Sequence, residues 1–122
     1  MNRAKIVLEE LKEEANLFLA MHIETKNSSI ILLSEGEDQI GTLAVAIPRI
    51  EKMSGEPLSS ILLGDRNSLT SRLLAERLAQ RTGKIALTSV FAKTINDQQA
   101  SKVFFKLFEK ILKEKDEGVQ EK

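Results

Sequence analysis

Between Leu17 and Glu24 the side chains alternate. Leu17, Leu19, Met21 and Ile23 fall on one face, and Phe18, Ala20, His22 and Glu24 on the other. A period of two belongs to a β-strand and not to a helix, and it constrains the fold more than any other feature of this chain. Lys26-Asn27-Ser28-Ser29 is a turn cluster, and Ile30 to Ser34 reads as a second strand that closes a hairpin. Glu35-Gly36-Glu37-Asp38 is another turn. In the strand that follows, Gly41 to Ile47, Leu43, Val45 and Ile47 alternate with Thr42, Ala44 and Ala46. That small-residue side suits close packing by a helix or a second subunit. Pro48 ends the strand because it cannot donate to a ladder. A polar loop, Arg49 to Pro57, leads to a strand at Leu58 to Leu63, and a further strand is expected at Ile85 to Phe91.

Two segments change to helical period. Ser68 can cap a helix from Leu69 to Thr82, and Gly83 stands where a left-handed C-terminal residue belongs. Leu69, Leu73 and the Leu74/Leu78 pair give this helix an apolar stripe. In the second helix Asn96 and Gln99 resemble a capping box. Ala100, Val103, Phe104, Leu107, Phe108, Ile111 and Leu112 then recur at spacings of three and four. Residues 115–122 are charged, without apolar period, and are expected to form a flexible tail after a domain spanning 1–114. The N-terminal stretch is ambiguous. Ile6 to Glu14 has helix-forming composition, with Ala4, Leu8, Leu11 and Ala15 on one helical face, yet Ile6 and Leu8 also alternate as in a strand. Strands followed by helix, strand, helix predict one α+β domain, an antiparallel sheet with two α-helices packed on it at about 68–82 and 96–114.

Composition narrows what such a domain can do. Its 122 residues suffice for one core without covalent staples. Eighteen basic and eighteen acidic residues cancel, so no broad field attracts nucleic acid or anionic lipid. Trp and Tyr are absent, which leaves few base-stacking platforms. Without cysteine there is no disulfide, thiolate metal site or cysteine nucleophile. No apolar run approaches the ~20 residues that span a bilayer, and the expected location is the cytoplasm.

Chemistry-bearing residues do not converge. His22 is the single histidine, and no Gly-x-Ser-x-Gly elbow accompanies it. The turn Leu63-Gly64-Asp65-Arg66-Asn67-Ser68 runs from strand to helix, a place where phosphate can bind. It has one glycine and no Gly-Lys-Ser/Thr, so a structural turn is the better account. The acidic pairs Glu9/Glu10, Glu13/Glu14 and Glu37/Asp38 lack calcium-loop spacing and read as solvated surface. No catalytic residue, cofactor or metal site is expected. Phe105 falls off the main helical stripe and is a candidate for a dimer or partner surface.

The run Ile40-Gly41-Thr42-Leu43-Ala44-Val45-Ala46-Ile47, then Leu58-Ser59-Ser60-Ile61-Leu62-Leu63-Gly64-Asp65, resembles the proteasome assembly chaperone 3/4 family. Leu73-Leu74-Ala75-Glu76-Arg77-Leu78-Ala79-Gln80-Arg81-Thr82-Gly83-Lys84 is similar to the helix of the chaperone 4 branch, while Gly41-Thr42-Leu43 is closer to the chaperone 3 branch. The likeness covers about residues 15 to 112. It implies a six-stranded antiparallel sheet flanked by helices, with residues 5–12 as its first strand against their helical propensity. It also implies a non-catalytic chaperone that binds proteasome α-type subunits while the 20S α-ring forms. The mixture of branch features favours a homodimer over a heterodimer with a paralogue. The family's α-subunit-contacting loop corresponds to Arg49–Pro57, which would make Arg49, Glu51, Lys52, Met53 and Glu56 the partner-binding side chains. The chain ends Val119-Gln120-Glu121-Lys122 and has no tyrosine, so docking through a hydrophobic-Tyr-x tail is not expected. A generic dimeric adaptor of the same fold is the alternative.

Overall fold

The computed structural model describes residues 3–49 and 58–121, with side chains up to residue 113. Eight elements follow one another: β1 (Lys5–Glu13), β2 (Asn16–Glu24), β3 (Ser28–Glu35), β4 (Thr42–Ile47), β5 (Leu58–Leu63), α1 (Ser68–Thr82), β6 (Ile85–Phe91) and α2 (Asp97–Glu121). The strands form one sheet in the order β1-β2-β3-β6-β4-β5. All neighbours are antiparallel except β3 and β6, which run parallel in the middle of the sheet. The antiparallel expectation therefore holds apart from one central pair, created because β6 returns from α1 to insert between β3 and β4.

The N-terminal segment is strand. Nine register pairs, from Lys5 opposite Glu24 to Glu13 opposite Asn16, tie β1 to β2. A ladder of that length outweighs the few tenths of a kcal/mol per residue, roughly, by which its composition prefers helix. Lys106 and Lys110 of α2 reach back to Glu13 and Glu9, at 2.7 and 3.4 Å, and charge the outer edge of β1.

Both helices lie on one side of the sheet, α1 over β4, β5 and β6 and α2 over β1, β2 and β3. The strand residues beneath α2 include the large Phe18, Ile31 and Leu33 beside Ala20, and those beneath α1 are mostly small, Ala44, Ala46 and Ala86 with Val90. From α1 come Leu74, Ala75, Leu78 and Ala79, and from α2 Phe104, Leu107, Phe108 and Ile111, all fully buried. Phe18 meets Phe104 edge-on, with centroids 5.7 Å apart. The helix ends follow their sequence signals only in part. Gly83 has φ 69° and donates its N–H to Ala79. Asn96 and Gln99 close a reciprocal capping box at 2.8 and 3.2 Å. At the start of α1, however, Asn67 and not Ser68 is the N-cap, with φ 63° and no side-chain cap bond. The second helix continues beyond its last core residue, Leu112, to Glu121, because its Lys- and Glu-rich sequence favours helix without needing an apolar face.

One sequence expectation fails on packing. Leu69 and Leu73 do not belong to the buried stripe of α1; they are 66% and 43% exposed. The inner face is instead Thr70, Ser71, Leu74, Ala75, Leu78 and Ala79. Hydroxyls bond in both directions between helix and sheet: Ser71 Oγ donates to the Thr42 carbonyl of β4 at 3.0 Å, and Thr88 Oγ1 of β6 donates to the Ser71 carbonyl at 2.6 Å.

Candidate protein-binding surface

Because both helices sit on one side, the other side of the sheet is left bare among the described residues. Strand alternation decides what it carries. With Phe18, Ala20 and His22 turned under α2, β2 presents Leu19, Met21 and Ile23 outward, and each neighbouring strand does the same. Two rows cross the sheet in register. One runs Ile6, Ile23, Ile30, Leu87, Val45, Ser60; the other runs Leu8, Met21, Leu32, Ser89, Leu43, Leu63. Ser60 and Ser89 are the polar members of these rows, and the Ser89 hydroxyl accepts the Gly41 N–H at 2.8 Å. Six strands about 4.8 Å apart make the face roughly 24 Å wide. At its rims Ile6, Leu8 and Leu58 are 62%, 64% and 69% exposed. The helix-covered side holds the alanines with Phe18, Ile31, Leu33 and Val90, while the open side holds further large aliphatics and no alanine in these two rows. An antiparallel sheet that ends at water on one face normally alternates apolar with polar residues. Here it does not, and a continuous apolar face of this width marks an interaction surface.

The polar groups elsewhere are engaged in holding the fold. His22 is buried, with Nε2 2.7 Å from Ser29 Oγ. The strand-to-helix turn is exposed at Gly64 to Arg66 but tied down by its side chains: the Arg66 guanidinium donates to the carbonyls of Ala92 and Ile95, and Asn67 Nδ2 donates to Asp97 Oδ1 at 2.7 Å. A Cβ on Gly64 would stand 2.7 Å from Thr42 Oγ1. This geometry ties α1 to the start of α2 and leaves the turn a structural role. Among the described residues no group of three or more His, Cys, Asp or Glu is placed to hold a metal ion. No helix among them is long and apolar enough to cross a membrane.

Of the residues singled out in the sequence, Arg49 is exposed just beyond β4. Glu51, Lys52, Met53 and Glu56 lie outside the described residues. Phe105 is half-buried on α2, packed against the core, with the Arg77 guanidinium 5.5 Å from its ring centroid. It belongs to the helix layer, on the opposite side from the open sheet face. The face itself was not anticipated from the sequence. Its signal was present in β2, where the odd-numbered side is uniformly large and apolar and the even-numbered side also carries Phe18 and Ala20. A strand apolar on both sides predicts a cover on both sides.

A family model for proteasome assembly chaperone 4 matches residues 16–90, from the start of β2 to the last-but-one residue of β6. The chain belongs to that family. A crystal structure of a chaperone complex for yeast 20S proteasome assembly has the same fold. It aligns with a TM-score of 0.66 at 11% identity, covering 90% of this chain and 93% of the other. Comparison with curated proteins finds no match. Within this proteasome assembly chaperone 4 family member, the matched segment holds β2, β3, β4, β5, α1 and β6, hence most of the open apolar face. The first strand, which supplies Ile6 and Leu8, precedes the matched segment.

Proposed function

We propose that this chain is a non-catalytic chaperone of 20S proteasome assembly, acting in the cytoplasm as a dimer of two copies that binds α-type subunits while the α-ring forms. The observation that carries this proposal is the bare aliphatic face on a chaperone-family fold. Two such faces stacked about 10 Å apart would form a sheet sandwich with helices on both outer sides. Family membership supports the client class, and the position of Arg49–Pro57 directly after the Gly41-Thr42-Leu43 strand supports that loop, with Arg49 at its described end, as one contact to the client. The work done is binding, since no convergent set of reactive side chains accompanies the face among the described residues. A paralogue with a similar bare face is the other partner that such a surface fits.

Native mass spectrometry of the protein mixed with α-type subunits from the same source tests this function. The expected result is a discrete complex containing two copies of this chain with free α-subunit or partial rings, absent once mature particles form. A dimer that meets no α-subunit in any assembly state would point instead to a generic dimeric adaptor of the same fold.

A further inference from the structure

The two edges of the sheet are unlike. On β1, Lys5, Glu9, Glu10, Lys12 and Glu13 are charged, and side chains occupy main-chain groups that a further strand would need. The Glu10 N–H donates to Glu9 Oε1 at 3.0 Å, and the Glu10 carbonyl accepts from Lys110 Nζ at 2.8 Å. Charges and side-chain caps of this kind keep an edge from pairing. The opposite edge is β5, Leu58-Ser59-Ser60-Ile61-Leu62-Leu63, which carries no charge and pairs on one side only, with β4. The bonds that side chains make with β5 both involve the Ser59 hydroxyl, which donates to Glu76 and accepts from Arg72 Nε of α1 at 3.1 Å; among the described residues none goes to its main chain. These bonds hold the strand against α1 and leave its outer edge preformed. Leu62 and Leu63 at its end are 54% and 50% exposed.

We propose that the outer edge of β5 takes an extended, uncharged segment of a proteasome α-type subunit as a seventh strand of the sheet. The edge itself selects an extended chain, because its outward N–H and C=O groups alternate at the period of a strand and are met in full by another strand. Six residues offer about 20 Å of such edge. With leucines and serines and no charge along it, a charged segment gains nothing there. Continuity selects the client: the Arg49–Pro57 loop assigned to client contact above ends at the residue before Leu58, so a client held by the loop lies beside the edge. A dimer stacked through its sheet faces leaves both β5 edges unpaired on its flanks. The inference rests on the chaperone function above for the identity of the client.

Hydrogen exchange on the full chain, alone and with α-type subunits from the same source, tests it. The β5 amides that do not bond to β4 should exchange freely in the chain alone and become protected in the complex, while β1 amides stay unchanged. Leu62→Lys puts a charge on the edge and should weaken binding about tenfold in titration calorimetry. Leu62 is exposed, so the thermal melt of this variant should match the wild type. If the wild type binds, the outward β5 amides stay unprotected and Leu62→Lys binds within about twofold, the seventh strand is wrong and the chaperone function stands. Protection of those amides without α-subunit, rising with chain concentration, would assign the edge to a second copy and overturn the proposal. If the wild type binds no α-subunit, both the seventh strand and the chaperone function fall.

Discussion

Glu35, at the end of β3, is buried, yet its carboxylate has a full set of partners. The backbone N–H groups of Lys93 and Thr94 donate to Oε1 at 2.7 and 3.0 Å, and the Thr94 hydroxyl donates to Oε2. Burial by itself pushes the carboxyl up. The bonds from Thr94 and Lys93, with the Lys93 charge, outweigh it and hold the group below its ordinary value of 4.5. A carboxyl lowered in the folded state stabilises the protein above its unfolded pKa, and that contribution is lost as pH falls through the lowered folded value. Denaturant melts of Glu35→Gln should therefore show a loss of roughly 1–3 kcal/mol at neutral pH. The deficit relative to wild type should shrink on acidification below about 4.5. A deficit that stays constant down to acid pH would mean that shape, not charge, fixes the β6–α2 connection. Arg66 grips the same connection through the carbonyls of Ala92 and Ile95. Neither contact could be read from sequence, because Glu35 and Thr94 are 59 positions apart.

The secondary-structure elements were legible where their period was unambiguous. Strands β2, β4, β5 and β6 and both helices lie where alternation, Pro48, Gly83 and the Asn96–Gln99 box place them. β1 was not legible from local preference, since Glu- and Lys-rich residues favour helix and the ladder to β2 decides otherwise. The parallel β3–β6 pair was hidden as well, because alternation gives a strand its faces but not its neighbours. On α1 the four leucines do not distinguish core from surface. Alanine does: Ala75 and Ala79 pack fully buried where α1 crosses β4 and β6, which offer Ala44, Ala46 and Ala86. This close approach leaves no room for a larger side chain. Ala79→Leu should destabilise the fold by roughly 1–3 kcal/mol in chemical denaturation. Unchanged stability would show that the α1–sheet spacing yields without cost.

At the scale of the molecule the sheet has two apolar sides and one helix layer. The helices take the side that carries the alanines, where α1 approaches closely, together with Phe18, Ile31 and Leu33 beneath α2. The aliphatics on the other side of β1, β2, β3, β4 and β6 carry no helix among the described residues. Sequence patterning identified both sides of β2 but could not say which the helices would choose; the partner-binding candidates Arg49–Pro57 and Phe105 came from the family resemblance and from the period of α2, and both lie off the face. A sheet of this kind is half of a sandwich, and under the proposed function its missing half is a second copy of the chain. That claim is tested most directly by light scattering with the wild type and Leu32→Lys over micromolar concentrations. Leu32 sits half-buried in the middle strands of the bare face, where a charge must be desolvated if a partner sheet covers it. The wild type is predicted to be a dimer and Leu32→Lys a folded monomer. A wild-type chain that stays monomeric throughout that range, or a Leu32→Lys variant that dimerises as well as the wild type, would contradict the sandwich.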